Sequence, residues 1–123
     1  MTPADLKATR ERLGLSGDAL GSYLTPQVAG RSVRRWEEGR HPVPEHVAKQ
    51  VRQLERVTDA HVDDLAERVR SISDPVIMVY RVDSDLHSAL PELACYTAEW
   101  HRGVAKRAAL RIGAHLKFPD EEK

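Results

Sequence analysis

The chain has 123 residues, 41% of them hydrophobic and 31% charged, with 19 Lys and Arg balanced by 19 Asp and Glu. That suits one domain, or a small domain with an oligomerisation appendage. No apolar run approaches the roughly 18 residues of a spanning helix, the start MTPADLKATR is too charged for a secretory signal, and one cysteine, Cys95, excludes an internal disulfide framework. The expectation is a cytoplasmic protein with no membrane partner.

Charge is distributed unevenly. Residues 1–52 carry nine basic against six acidic groups, a balance of +3, and the remainder carries ten against thirteen, or −3. A chain polarised in this way can direct its cationic half at a polyanion.

In chain order, Thr2 suits an N-cap, Pro3 the first helical position, and Asp5 the first turn, where the helix dipole favours an anion. Leu6, Thr9 or Arg10, and Leu13 follow at helical spacing, and Gly14 is a left-handed stop. Ser16 caps a short second helix whose apolar face is Ala19, Leu20, Tyr23 and Leu24. Thr25-Pro26-Gln27 breaks it, because proline disfavours helix in the residue before it. A third helix, from about Ala29 to Glu38, buries Val33 and Trp36 and stops at Gly39.

Arg40-His41-Pro42-Val43-Pro44 is a stiff connector. Beyond it Val47, Val51, Leu54, Thr58, His61 or Val62, Leu65, Val69 and Ile72 recur at spacings of three and four. This predicts one long helix from about 44 to 72, although Thr58-Asp59 offers a cap at which two helices would part. Such a helix outruns a four-helix domain, so its apolar stripe needs a further partner. Asp74-Pro75 ends it, and Val76–Val82 is the one good strand. A strand does not stand alone: either a short, poorly marked strand completes the sheet, or this one pairs with its copy in another subunit. Asp85 caps a short helix over Leu86–Leu90, and Pro91 interrupts. Thr97 caps a helix from Ala98 to about Ile112, with Trp100, Val104, Ala105 and Ala108 on one side. Gly113 ends that helix, and residues 118–123 read as a loose acidic tail.

The fold class is therefore mainly α with a small β element (α+β). An N-terminal helical domain spans 1–57, its fourth helix running on to about 72. A region built from that helix, the strand 76–82 and the helix 98–112 spans 58–117, and 118–123 is a tail.

The chemistry lies in Leu15–Gly39. With Val33 and Trp36 turned inward, about 100° of rotation per residue turns Gly30, Arg31, Arg34 and Arg35 toward solvent. Arginine reads guanine N7 and O6 with two hydrogen bonds, and a glycine lets backbone approach closely.

Leu15–Gly39, with Leu20, Val33, the Trp36-Glu37 pair and Gly39, resembles the helix-turn-helix of Cro and phage-repressor-like (XRE family) regulators. The likeness covers about residues 2–57 and departs at Thr25–Gly30, about two residues longer than the family's usual turn. Extended through the strand, Tyr80 and Trp100-His101-Arg102-Gly103-Val104, the layout is similar to anti-CRISPR-associated autorepressors, which pair such a motif with a C-terminal dimerisation segment. The resemblance implies a lambda-repressor-like domain of four or five helices. It implies base reading by Gly30, Arg31, Arg34 and Arg35, and phosphate contacts from Gln27, Ser32 and Arg40. It also implies a buried Arg10–Glu37 pair that, with Val33 and Trp36, is structural.

The expected function is a sequence-specific transcriptional regulator, a homodimeric (auto)repressor on an inverted-repeat operator in double-stranded DNA. Dimerisation is expected from residues beyond about Val57, with Leu65, Val69, Ile77, Val79, Tyr80, Trp100 and Val104 at the interface. The alternatives are an antitoxin-like protein-binding module, or a regulator whose basic surface also binds RNA. Six histidines stand singly, Cys95 with His101 is a two-ligand fragment, and Asp83-Ser84-Asp85 lacks the glycine and glutamate of a calcium loop. Without a phosphate loop, nucleophile elbow or paired catalytic carboxylates, no enzyme, metal or cofactor is expected.

Overall fold

A computed structural model describes residues 1–121; Glu122 and Lys123, the end of the expected tail, lie outside the described residues. The elements are α1 (Pro3–Arg12), α2 (Gly17–Tyr23), α3 (Gly30–Glu37), α4 (Glu45–Val69), β1 (Val76–Met78), α5 (Asp83–Ala89), a 3-10 turn (Pro91–Leu93), α6 (Ala98–Ile112) and β2 (His115–Lys117). The protein is mainly helical, with one small two-stranded parallel sheet among the described residues. It divides into two compact units, Met1–Val57 and the chain from Thr58 onward, with α4 beginning in the first and ending in the second.

In the first unit each short helix starts on a local cap. Thr2 Oγ1 accepts from the Asp5 N–H at 3.0 Å and the Asp5 carboxylate accepts from the Thr2 N–H at 3.1 Å. That backbone bond holds the Asp5 carboxyl below its ordinary value. Ser16 accepts from the Ala19 N–H to start α2. Gly14 and Gly39 adopt φ of +71° and +78° just past α1 and α3, where a side chain would be strained. Leu6, Leu20, Val33 and Val51, from four helices, are all fully buried.

The connection between α2 and α3 is tied down at two places. The Gln50 carboxamide pairs with both backbone groups of Thr25, donating to its carbonyl and accepting from its N–H, each at 2.8 Å. The Val28 N–H donates to the Gly21 carbonyl at 3.2 Å. A Cβ on Gly21 would lie 2.1 Å from the Val28 oxygen, so only glycine allows that approach. The loop is held by polar pairs that satisfy its own backbone.

In the second unit α4 remains one unbroken helix through Thr58, which serves α6 rather than capping a new helix. The fully buried Trp100 donates its indole N–H to Thr58 Oγ1 at 2.9 Å. Arg107 pairs with Asp59 at 2.7 Å, Arg111 pairs with Asp63, and His61 lies edge-on to the Trp100 ring. The apolar stripe over Thr58, Val62 and Ala66 is thus buried within the chain. The further partner that the sequence demanded is the chain's own α6. The helix also stops at Val69, short of the expected 72, and Ile72 is left exposed. Ser71, Ser73 and Asp74 favour turns over helix interiors there, and Asp74 adopts φ +51°.

The strand is shorter than the expected 76–82, and it finds its partner in the same chain. β1 pairs in parallel with β2, placing Val76, Ile77 and Met78 opposite His115, Leu116 and Lys117. The pairing argument for a second subunit is thereby removed. Gly113 (φ +72°) turns the chain out of α6 into β2, a segment too short and too polar to mark itself as a strand. Asp85 does not cap α5, which begins at Asp83 after Val82. Asp83 instead accepts from the Ala98 N–H at 2.7 Å, joining Thr97 in capping α6. The described part of the tail is not loose. Arg81 pairs with Asp120 at 2.7 Å and lies 4.0 Å over the Phe118 ring.

Burial, with Arg102 and His61 nearby, holds the imidazole of His101 in α6 below its ordinary pKa. The unfolded chain therefore takes up a proton near pH 6.5 that the folded chain resists, and stability falls as pH drops through that value. Between about pH 7 and pH 5.5 the melting temperature should fall more for the native chain than for His101→Phe. Parallel falls in a calorimetric series would show that His101 carries no such linkage.

Candidate nucleic-acid interface

α3 is a short helix whose orientation is set from inside. Val33 and Trp36 face the core, and Glu37 beside Trp36 meets Arg10 of α1. Arg10 Nε donates to one Glu37 carboxylate oxygen at 2.6 Å and Nη2 to the other at 2.9 Å, while Nη1 donates to the Leu15 carbonyl at 2.9 Å. Their side chains are 17% and 7% exposed, so both charges are largely removed from water. Such burial is tolerable because the fork-on-carboxylate geometry leaves few lone pairs or protons unserved. The Glu37 hydrogen bonds hold the Arg10 guanidinium above its already high ordinary value.

The other end of α3 is secured by a residue that sequence reasoning passed over. Ala29 offers no side-chain cap, and Asp18 Oδ1 accepts from the Gly30 N–H at 2.9 Å. A Cβ on Gly30 would lie 2.0 Å from that oxygen and 2.9 Å from the Asp18 nitrogen. Gly30, expected on the outer face for base reading, is instead buried. Its lack of a side chain serves the close contact between α2 and α3. Neither Asp18 nor the loop-fastening Gln50 carries a local pattern that would reveal it, since each acts on a residue at least twelve positions away.

Arg31, Arg34 and Arg35 all stand exposed and form no ion pair among the described residues. The acids that follow them in sequence are engaged elsewhere: Glu37 with Arg10, and Glu38 with the exposed Arg40 at 3.2 Å. Gln27 is exposed and donates to the Ser22 carbonyl at 3.1 Å, while Ser32 is half-buried. Lys7, which no sequence pattern singled out, borders with Arg34 a depression of about 220 Å³. Three unpaired guanidinium groups on one fixed helix can grip phosphate or the paired acceptors of a guanine edge.

The expected interface residues of the second unit separate into two groups. Ile77, Val79, Trp100 and Val104 are buried in their own chain, where they close the core, and are not available to a partner. Leu65, Val69 and Tyr80 are half-buried, and Val76 and Met78 stand exposed on β1. Among the described residues no group of three or more His, Cys, Asp or Glu side chains is placed to hold a metal ion. No helix among them is long and apolar enough to cross a membrane.

The fold and site define a mainly helical protein of two units, one presenting an arginine-bearing helix locked from beneath by an ion pair. The Aca2/YdiL-like family model matches residues 1–108, and the chain belongs to that family. Membership supports a regulatory role, in keeping with the likeness to anti-CRISPR-associated regulators. No curated protein matches the chain.

Removing the Glu37 carboxylate strands a mostly buried guanidinium. Glu37→Ala should destabilise the first unit by about 2 kcal/mol or more, measured by denaturant unfolding. An unchanged midpoint would mean that the pair does not anchor α3.

Proposed function

We propose that the protein is a sequence-specific DNA-binding regulator, an autorepressor that works as a homodimer through a helix-turn-helix formed by α2 and α3. The observation that carries this reading is the unpaired, outward set Arg31, Arg34 and Arg35 on a helix fixed by Arg10–Glu37 and Asp18. Membership of the Aca2/YdiL-like family supports the regulatory part. In this reading α3 lies in the major groove, Arg31 and Arg34 set base preference, and Arg35 steers the approach. Gln27, Ser32 and Arg40 hold backbone phosphates, with Lys7 as an additional cation beside Arg34.

One eight-residue reading helix contacts few base pairs, so two copies on an inverted repeat supply the missing affinity. Half-site centres would then lie about one helical turn, ~34 Å, or a multiple of it, apart. Self-association falls to the second unit, through Leu65, Val69, Tyr80 and the exposed side chains of β1.

Fluorescence anisotropy with DNA from upstream of the protein's own gene, against scrambled DNA, tests the reading. Arg34→Ala should lose about 1–3 kcal/mol on the cognate site and far less on scrambled DNA. Gln27→Ala should weaken both about equally and reduce the salt dependence. Equal loss on both sequences for Arg34→Ala would remove α3 as the reading helix, and preferential binding of the transcript would make RNA the partner.

A further inference from the structure

The exposed arginines of α3 have an acidic neighbour that no cation answers among the described residues. Asp18, in the first turn of α2, is exposed, and its Oδ1 accepts from the Gly30 N–H at 2.9 Å. Its other oxygen has no hydrogen-bond partner, and the carboxylate forms no ion pair, among those residues. Arg31, the residue after Gly30, is exposed and does not pair with it. Glu37 and Glu38 are met by Arg10 and Arg40 at the far end of the helix, whereas Asp18 stands without a counter-ion at its start.

The fold needs an acceptor at this position more than it needs a charge. A Cβ on Gly30 would lie 2.0 Å from the Asp18 Oδ1 and 2.9 Å from the Asp18 nitrogen, so the carboxylate is held tightly against the first turn of α3. Asparagine, serine and aspartate cap helix starts about equally well, and a carboxamide oxygen of the same outline would accept from the Gly30 N–H. The charge adds a modest attraction to the helix dipole, weakened by salt at an exposed position.

Its larger effect falls on an approaching polyanion. The start of a helix ordinarily attracts phosphate, through its free N–H groups and its dipole. At α3 a fixed carboxylate occupies that ground, so an arriving phosphate meets a like charge and finds the Gly30 N–H already taken. A reading helix contacts base edges with its N-terminal residues, which brings this end close to the duplex. Non-cognate DNA is held by phosphate contacts, and the protein slides among many registers. A cognate site is held in one register by its base contacts. A negative charge at the leading end therefore weighs most on the first kind of binding.

We propose that Asp18 is a specificity-determining residue that acts by repulsion. Its carboxylate, anchored on the Gly30 N–H, turns away docking registers that would seat a DNA phosphate at the start of α3. Specificity is a difference between affinities, and a penalty on the wrong partner raises it just as a gain on the right one does. The inference rests on the DNA-binding reading and adds to it the means by which non-cognate DNA is refused.

The test measures binding of the native chain and of Asp18→Asn to the upstream DNA and to scrambled DNA, by fluorescence anisotropy across a salt series. Asparagine keeps the acceptor and removes the charge. Asp18→Asn should bind scrambled DNA about fivefold more tightly, with a salt dependence steeper by about one phosphate contact. The ratio between upstream and scrambled DNA should fall about threefold. A residue that only positions α3 would weaken both DNAs when altered and would not tighten the scrambled one. Asp18→Ala, which removes acceptor and charge together, should lower the melting temperature more than Asp18→Asn does.

Unchanged or weaker binding of scrambled DNA by Asp18→Asn, or equal tightening on both DNAs, overturns the proposal and leaves the DNA-binding reading standing. A native chain without preference for the upstream DNA overturns both. Should Asp18→Asn fail to fold, Asp18→Ser, likewise a neutral acceptor, is judged by the same outcomes.

Discussion

The arrangement of the first unit depends on placing an ion pair where water has little access. Glu37 sits one residue beyond Trp36 and would be an expensive charge if left alone. Arg10 satisfies it through two parallel hydrogen bonds and uses its remaining nitrogen on the Leu15 carbonyl, just beyond the end of α1. One guanidinium thus ties α1, the turn into α2, and the last turn of α3. Asp18 performs the complementary task at the first turn of α3. A helix of eight residues has little stability of its own. Its fixed direction is a property of these cross-links and of Val33 and Trp36 beneath it.

That anchoring has an electrostatic consequence. An arginine-rich helix followed directly by two glutamates looks nearly self-neutralised in sequence. In the fold, Glu37 turns inward to Arg10 and Glu38 pairs with Arg40, leaving the charges of Arg31, Arg34 and Arg35 without a protein counter-ion among the described residues. The proposed recognition surface therefore comes from the removal of nearby acids as well as from the presence of bases.

The second unit follows a different logic. The Trp100 indole is matched to Thr58 in the middle of α4, and flanking ion pairs fix the registry of α4 against α6. The same packing draws in Ile77, Val79 and Val104, side chains whose hydrophobicity had suggested a subunit interface. Apolar character in a sequence marks surface to be covered; whether the same chain or another covers it depends on the fold.

Local signals alone determined most of the helices. Thr2, Ser16 and Thr97 are caps, and Gly14, Gly39 and Gly113 are left-handed stops, because capping and positive φ involve only neighbouring residues. The outward position of Arg31, Arg34 and Arg35 was likewise legible from the angle between them and Trp36. The Arg10–Glu37 pair was legible only through a family resemblance, since across a separation of 27 positions nothing marks the two as partners. Tertiary structure alone decided that Gly30 is buried against Asp18, that β1 pairs with β2 across 36 residues, and that α6 covers α4. Those outcomes depend on which distant surfaces meet, and the energy of such a meeting is not written in either segment by itself.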